Sequence, residues 1–299
     1  MKTAVIICSM GRPQVLHETV IALGRQTVSP MAIIASLCDA ASVLPETLRL
    51  PDVTMVEGDK GLTKQRNTGL NGTPSVAEYV LFLDDDAELA PNYLASMEGL
   101  FDRRPDVAAA SAHIVIDGLL EGYLVTRAEA VAVIARHPLE PRIEPAEGIS
   151  GCNIFARRQI AEKVRFDERL PLSGWMEDFD FTVRCRPHGL VVWNRETCVA
   201  HLGMRRGNRE RGFLVGYAHI ANAHYLWQKG IISSFRRLVT AFWLPTLRRT
   251  FLGLLRRQFG SNTVWRTRFD YPGRLKGNAQ ALLDAVRHRL RPERLLDFV

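Results

Sequence analysis

The sequence lacks the features that mark several large classes of protein. No stretch reaches the roughly 18 uninterrupted apolar residues of a membrane-spanning helix, and the first residues do not have the pattern of a signal peptide. The five cysteines are odd in number and show no CxxC spacing, which favours reduced, mostly buried thiols over a disulfide framework. Internal repeats and low-complexity segments are absent as well. These absences predict a folded cytoplasmic protein.

The charge of the chain is unevenly distributed. The 299 residues include 39 Lys and Arg against 32 Asp and Glu, a net charge of +7. From Gly230 onward there are 14 basic and 4 acidic residues, a net charge of +10, so the preceding residues sum to −3. A mildly acidic body with a strongly basic tail predicts an anionic surface as the partner of the tail alone.

The first half of the chain alternates short apolar runs with amphipathic segments, which predicts a parallel sheet with crossover helices. The predicted strands are Thr3–Met10, Met31–Leu37, Val53–Val56, Tyr79–Leu83 and Val107 to about Ile116, and the predicted helices begin at Pro13, Leu62, Pro91 and near Glu177. Residues 117–147 contain three prolines and predict an insertion or lid. We predict an α/β domain over residues 1–225 and a basic helical extension over residues 226–299.

Three aspartates directly follow the apolar run YVLFL. Asp84, Asp85 and Asp86 would repel one another and raise one another's pKa unless a positive charge lies between them. Ligands of open α/β sheets bind at the carboxyl ends of the strands, and a divalent cation bridging carboxylate and phosphate oxygens would remove the repulsion. The alternative is a solvated turn, or a helix cap formed by Asp86 before Pro91.

The neighbouring motifs favour the metal site. FLDDDAELAP, preceded by GLTKQRNTGL and by VIICSMGRP, resembles the family 2 glycosyltransferases of the GT-A fold over roughly Val5 to Gly203. The resemblance implies a Rossmann-like mixed sheet flanked by helices, with Mn²⁺ or Mg²⁺ on a sugar nucleotide. Asp86 is then the expected direct ligand, Asp84 lies nearer the ribose or sugar, and His201 in CVAHLG is the expected third ligand.

The resemblance also implies a set of residues around the nucleotide sugar. Asp39 is expected at the base, although the usual Asp-Asp-Gly-Ser is replaced here by Cys-Asp-Ala-Ala-Ser, and Ser9 is a second candidate there. Arg66 is expected near the diphosphate, which needs cationic or donor groups. The candidate donor-binding residues are Ser9, Arg12, Asp39, Lys64, Arg66, Asn67, Asp84, Asp85, Gly151, Asn153 and Trp175.

GWMEDFDF resembles the Glu-Asp motif of the family at the start of a helix. Asp178 is the expected catalytic base of an inverting transfer, and Glu177 orients the acceptor or the loop. The helix dipole should keep Asp178 ionised, although acidic residues also belong in a first turn as simple caps. Trp175 is predicted either to stack on a sugar or to lie in the core. Arg205, Arg206 and Arg209 are candidates to close over the diphosphate, or part of a solvated loop.

The sequence therefore predicts an inverting glycosyltransferase whose acceptor is a saccharide or a lipid-linked saccharide, as in exopolysaccharide or cell-wall assembly. Two alternatives stay open. A metal-dependent phosphohydrolase or nucleotidyltransferase would use the aspartates but leave Glu177 and Asp178 unexplained. A non-catalytic sugar-nucleotide-binding module would keep donor affinity without turnover.

The basic tail contains three arginine pairs between Phe235 and Phe259. Their spacing predicts one broad basic face opposite Leu238, Phe242 and Leu255, with Pro245 dividing the segment into two short helices. Such helices would lie at the anionic inner face of the cell membrane. The alternative is that the tail packs on the first domain or on a second subunit of a homo-oligomer. No nucleic-acid motif accompanies the charge, so no nucleic acid is expected.

Overall fold

The computed structural model describes residues 1–121, 123–203, 212–259 and 270–299, without the side chains of residues 120, 121 and 256–259. The described residues fall into two compact units. The first lies within Met1–Asp167 and Glu177–Met204, and the second within Glu168–Met176 and Arg205–Val299. The division into domains at residue 225 stays a prediction.

The centre of the first unit is a parallel sheet of four strands, as the apolar runs predict. These strands are β1 (Thr3–Cys8), β2 (Ala32–Leu37), β3 (Val53–Glu57) and β4 (Tyr79–Asp84). They lie in the order β3-β2-β1-β4, and every residue of β1 and β2 is buried. Strands covered on both faces need continuous apolar runs rather than alternation, which explains TAVIIC and AIIASL.

Five further strands make the sheet mixed. They are β5 (Ala87–Leu89), β6 (Val107–Asp117), β7 (Ile143–Pro145), β8 (Asn153–Arg157) and β9 (Leu190–His201). Strand β8 runs antiparallel between β4 and β6, β9 runs parallel to β6, and β5 and β7 pair antiparallel with β9. The register places Asp117 opposite His201, so β6 and β9 both end beside the carboxyl end of β4.

Helices cover both faces of this sheet. They are α1 (Pro13–Leu23), α2 (Leu62–Asn71), α3 (Tyr93–Arg103), α4 (Gly118–Glu121), α5 (Arg127–Arg136), α6 (Arg158–Val164) and α7 (Glu177–Cys185), with 3₁₀ turns at Ala40–Ser42, Thr47–Arg49 and Arg186–His188. Alternate residues of β1 divide between the two cores: Val5 and Ile7 pack with α1 and α3, whereas Ile6 packs with residues of α2, α6 and α7.

The segment over residues 117–147 is more regular than the sequence suggests. It holds the helix α5 and the short strand β7. Thr126 caps α5 by accepting a hydrogen bond from the N–H of Glu129, so the sequence does contain a residue that marks the start of this helix. The prolines that predict a lid lie around and within β7, where Pro145 needs no ladder hydrogen bond.

The second unit is helical, which confirms the predicted helical C-terminal region. Its elements are α8 (Gly212–Gln228), α9 (Phe235–Arg237), a π-helical segment (Leu238–Trp243), α10 (Leu244–Phe259), α11 (Tyr271–Val286) and a 3₁₀ segment (Pro292–Phe298). The predicted division at Pro245 lies beside an observed boundary, because the π-helical segment ends at Trp243 and α10 begins at Leu244. Pro245 lies in the first turn of α10, where it needs no helical N–H partner, and the π-helical turn precedes it.

Candidate active site

The three aspartates after the apolar run of β4 point in different directions. Asp85 is completely buried, and its carboxylate accepts hydrogen bonds from the hydroxyl of Ser9 (2.6 Å) and from Nε of Arg12 (3.0 Å). Asp84 and Asp86, one residue to either side, both approach His201. Asp85 and Asp86 form the turn between β4 and β5, and this turn brings the carboxylates of Asp84 and Asp86 together on the side of His201.

Ser9 and Arg12 both contact the buried carboxylate of Asp85. Ser9 is buried, and its hydroxyl donates to Asp85, while its predicted place at a nucleobase stays a prediction. Arg12 pairs with Asp85 and lies 3.5 Å from Asp86 through Nη1. Burial raises the pKa of Asp85 to about 7, although Arg12 opposes that shift. Together these residues tie the loop after β1 to the end of β4.

Asp84, Asp86 and His201 form a cluster of three metal-type ligands. One ligand atom from each lies within 4.8 Å of the others. Nε2 of His201 is 3.4 Å from Oδ1 of Asp86 and 3.9 Å from Oδ2 of Asp84. Burial raises the pKa of Asp84, against the pull of Arg66 and His201. A cation bound between these side chains would stabilise the charged form of Asp84.

Asp117 is a site residue that the sequence reasoning missed. Its Oδ1 lies 3.0 Å from Nδ1 of His201, which leaves Nε2 directed at the two aspartates. A carboxylate behind a metal-binding histidine fixes the tautomer and orientation of the ring. The sequence could have indicated Asp117, because this residue directly follows the strand predicted to end at about Ile116. Ligand-binding residues of such sheets lie at the ends of strands.

The electrostatics of His201 also favour a positive charge here. Burial lowers the pKa of His201, but its hydrogen bonds to Asp117 and Asp86 outweigh burial and raise the pKa to about 12. The imidazole therefore holds a proton between carboxylates when no cation is bound. A divalent cation would replace that proton, since a ligating imidazole must be neutral.

Arg66 links this cluster to the Glu-Asp motif. The residue is 2% exposed, and its Nη1 donates to Oε1 of Glu177 at 2.6 Å. Its Nη2 lies 3.4 Å from Oδ1 of Asp84 and donates to the carbonyl oxygen of Gly151 at 2.8 Å. Burial raises the pKa of Glu177 to about 8, with Asp178 adding to the shift and Arg66 opposing it.

Asp178 is held by backbone groups. Its Oδ1 accepts from its neighbour Phe179 at 2.7 Å, and its Oδ2 accepts from the N–H of Gly151 at 2.9 Å. Asp180 instead pairs with Arg184 at 2.6 Å. The pKa of Asp178 is raised because burial outweighs these backbone hydrogen bonds. This direction differs from the expectation that the helix dipole alone would set its charge.

Four other predicted donor-binding residues have polar partners within the protein. Asn67 exchanges two hydrogen bonds of 2.9 Å with the backbone of Phe166, so it holds that segment. Lys64 pairs with Asp59 at 2.7 Å on the surface. Asp39 accepts from the hydroxyl of Ser42 at 2.7 Å at the end of β2. The fourth residue is Asn153, whose side chain accepts hydrogen bonds from three protein donors.

Asn153 is fully buried in β8. Its Oδ1 accepts from the N–H of Ala112 (2.8 Å) and from the hydroxyls of Ser111 (2.9 Å) and Tyr93 (3.1 Å). A side chain that satisfies three protein donors joins β6, β8 and α3. Gly151, two residues earlier, lies beside the carboxylates, where an added Cβ would meet Oε1 of Glu177 at 2.9 Å.

Trp175 belongs to the second unit. Its indole is 44% exposed and stacks on His219, with ring centroids 4.0 Å apart and planes at 19°. Its carbonyl oxygen accepts from Asn222 at 2.8 Å. The ring is therefore a positioned, partly exposed aromatic surface. Arg205, Arg206 and Arg209 lie outside the described residues.

The sequence of the first unit matches a known family. A family profile described as glycosyl transferase family 2 matches residues 4–165, more than half of the chain. The matched span contains β1 to β4, the three aspartates, Arg66 and Gly151. The chain belongs to glycosyl transferase family 2. The resemblance seen in the sequence to the family 2 glycosyltransferases is confirmed.

Solved structures share the fold of this family 2 chain at low sequence identity. Mannosyltransferase PcManGT from Pyrobaculum calidifontis, in complex with GDP-Man and Mn²⁺, is 16% identical with a TM-score of 0.57. The match covers 99% of this chain and 85% of the PcManGT chain. S. aureus TarS 1–349 is 14% identical with a TM-score of 0.54, covering 96% and 92%. No curated protein sequence matches the chain.

A third structure, GalNAc-T7 with UDP, GalNAc and Mn²⁺, is 12% identical with a TM-score of 0.53. The match covers 99% of this family 2 chain, which spans about half of the GalNAc-T7 chain (56%). At these identities the likeness concerns the fold alone. The predicted GT-A fold, a mixed sheet flanked by helices, is confirmed.

The donor set of this family 2 chain fits a divalent cation. Two carboxylates and one imidazole converge, and a further carboxylate holds the imidazole from behind. A mixed oxygen and nitrogen set of this kind suits Mn²⁺ and is compatible with Mg²⁺. Asp84, Asp86 and His201 are the residues that could hold it.

Proposed function

We propose that the protein transfers a sugar, with inversion, from a nucleoside diphosphate sugar to an acceptor hydroxyl. One observation carries this proposal: the buried guanidinium of Arg66 binds both Asp84 of the metal-type cluster and Glu177 of the Glu-Asp motif. Group transfer needs a place for the leaving diphosphate and a base for the acceptor within one sugar's reach. Arg66 brings these two functions together.

Asp84, Asp86 and His201 would hold Mn²⁺ or Mg²⁺ at the donor. A bound divalent cation supplies Lewis-acid and electrostatic stabilisation of the diphosphate leaving group. PcManGT and GalNAc-T7 were solved with Mn²⁺, and PcManGT and TarS with GDP-Man and UDP-GlcNAc respectively. These neighbours support a nucleoside diphosphate sugar as the donor of this chain.

Asp178 is the proposed base. It forms no ion pair among the described residues, whereas Glu177 is bound to Arg66 and Asp180 to Arg184. Its two oxygens are oriented by the N–H groups of Phe179 and Gly151, and each oxygen keeps a lone pair for an acceptor hydroxyl. The burial that raises its pKa makes it a better proton acceptor than an ordinary aspartate.

Glu177 and Arg66 are positioning residues, because they hold Asp178 in place. The 2.6 Å ion pair fixes the first residue of α7, so the adjacent Asp178 has a defined direction. Arg66 also binds the carbonyl oxygen of Gly151, whose N–H holds Asp178. This closed set of contacts keeps the base in place while donor and acceptor exchange.

We also assign substrate groups to regions of the protein, using the positions of the predicted binding residues in the fold. We assign the nucleobase to the region of Asp39 at the end of β2. The catalytic machinery then falls within residues 1–225. The proposed acceptor is a saccharide or lipid-linked saccharide, as in polysaccharide assembly.

The test is product analysis with a panel of UDP-, GDP- and dTDP-sugars, Mn²⁺ and simple saccharide acceptors. The proposal predicts release of a nucleoside diphosphate and formation of a new glycosidic bond. NMR of the product should show that the anomeric configuration of this bond is inverted. Release of phosphate or pyrophosphate would instead indicate a phosphohydrolase or nucleotidyltransferase. Donor binding without any turnover, unchanged in Asp178→Asn, would indicate a binding module.

A further inference from the structure

Helix α10 is packed in one fixed orientation against α11. Thr250 is buried and its hydroxyl accepts from the amide of Asn278 at 3.1 Å. Gly253 lies so close to Tyr271 that an added Cβ would meet a ring carbon at 2.0 Å. Both contacts use small or polar residues of α10. The helix cannot rotate about its axis without losing them.

The opposite side of α10 carries the large apolar residues. Phe251 is 59% exposed and Leu244 53%, and Leu252 and Leu255 are also exposed. At 100° per residue these four side chains fall within a sector of roughly 100°. A helix on the surface of a soluble protein normally buries its apolar face and exposes its polar one. Here the apolar face is turned outward.

Arginine accompanies this apolar face. Arg248 lies within the same sector, and both Arg248 and Arg249 are exposed. Arg248 does not lie opposite Leu255 as predicted, because residues 248 and 255 are about two helical turns apart and share a side. Long arginine stems lie along an apolar surface while their charged ends reach the adjoining polar layer.

The surrounding sequence limits what can cover the face. Residues 230–259 contain six arginines and no aspartate or glutamate. A second copy of this chain would bring like charges together. Nucleic acid would match the charge but leave Phe251 and the leucines in water. An anionic lipid surface matches both features, since it offers negative headgroups above an apolar layer.

We propose that Leu244, Arg248, Arg249, Phe251, Leu252 and Leu255 form a docking surface for an anionic phospholipid bilayer. The apolar side chains enter the boundary between headgroups and acyl chains, and the arginines bind lipid phosphates. None of the described helices is long and apolar enough to cross a membrane, so α10 lies in the plane of the surface. This inference is independent of the proposed reaction.

The experiment is flotation of the full-length protein with vesicles of phosphatidylcholine alone and of phosphatidylcholine with 40% phosphatidylglycerol. We expect at least tenfold tighter binding to the anionic vesicles, weakened by salt. The variant Phe251→Gln/Leu255→Gln should lose at least tenfold in that binding. Both positions are exposed, so the variant should keep the melting temperature of the wild type.

Matched controls lie in the first unit. Val76 and Val131 are exposed apolar residues there, so Val76→Gln/Val131→Gln should bind vesicles as the wild type does. Arg248→Gln should weaken binding to anionic vesicles more than Arg136→Gln, an exposed arginine of α5.

Three outcomes would overturn the proposal. The first is that the wild type does not bind anionic vesicles, and the second is that the Phe251→Gln/Leu255→Gln variant binds them as tightly as the wild type does. The third is that the wild type is a dimer in light scattering, does not bind vesicles, and becomes a monomer in this variant. The last result would assign the face to a second copy.

Discussion

Glu177 and Asp84, which are 93 positions apart in the sequence, bind the same guanidinium, that of Arg66. One residue belongs to the start of α7 and the other to the end of β4. Bringing two carboxylates into a buried place is costly unless a fixed positive charge compensates them. The arrangement makes the geometry of the proposed base depend on the geometry of the proposed metal site.

Removing the shared guanidinium should therefore damage both stability and activity. Arg66→Ala leaves the buried Glu177 and the half-buried Asp84 without their partner, and we expect a loss of about 3–5 kcal/mol in the free energy of unfolding, mostly from Glu177. Urea denaturation measures it. Arg104→Ala, which removes an exposed ion pair with Asp106, is the control and should change stability little. Equal losses in the two variants would show that Arg66 has no special role.

Asp117 should control metal affinity through His201. We expect Asp117→Ala to weaken Mn²⁺ binding by roughly 10- to 100-fold, since the imidazole loses the partner that orients it. Asp117→Asn keeps an oxygen that accepts from Nδ1 and should lose less. Titration followed by electron paramagnetic resonance measures both. An affinity unchanged in the alanine variant would remove Asp117 from the site.

The pH dependence of turnover should report Asp178. A base must be deprotonated, so turnover falls as pH falls through its pKa. Because burial raises that pKa, the acidic limb should lie above the value of about 4 of an ordinary aspartate. The profile of kcat is measured at saturating donor and Mn²⁺, which separates the base from metal binding. A limb at or below pH 4 would exclude Asp178 as the base.

Gly151 should tolerate no side chain. In Gly151→Ala the new Cβ would lie 2.9 Å from Oε1 of Glu177 and 3.3 Å from Nη2 of Arg66, so the ion pair must shift. We expect a loss of about 1–3 kcal/mol in stability and a several-fold fall in kcat. Gly99→Ala is the matched control. Gly99 lies inside α3 with only the end of Arg103 nearby, so that change should stabilise the protein. A stable, fully active Gly151→Ala would contradict the close packing.

Local patterns in the sequence were enough to predict the central sheet and the two aspartates of the metal-type cluster. Continuous apolar runs identify β1, β2 and β4, because strands buried on both faces need them. Asp84 and Asp86 follow from the end of such a run. His201 follows from the order of motifs in the family rather than from any local pattern.

The sequence could not give the partners of buried polar side chains. Asp85 and Ser9 look like ligand-binding residues, and only the fold shows that they satisfy each other. The role of Asn153 depends on three donors from distant segments. The orientation of α10 depends on the contact of Gly253 with Tyr271, which no periodicity reveals.

The most direct measurement of the central claim is calorimetric titration of UDP, GDP and dTDP into the wild type and into Asp86→Asn, with and without Mn²⁺. The account predicts that one nucleotide binds the wild type with Mn²⁺, and that omitting Mn²⁺ or replacing Asp86 weakens this binding at least tenfold. Nucleotide binding that is indifferent both to divalent ions and to the loss of Asp86 would contradict it.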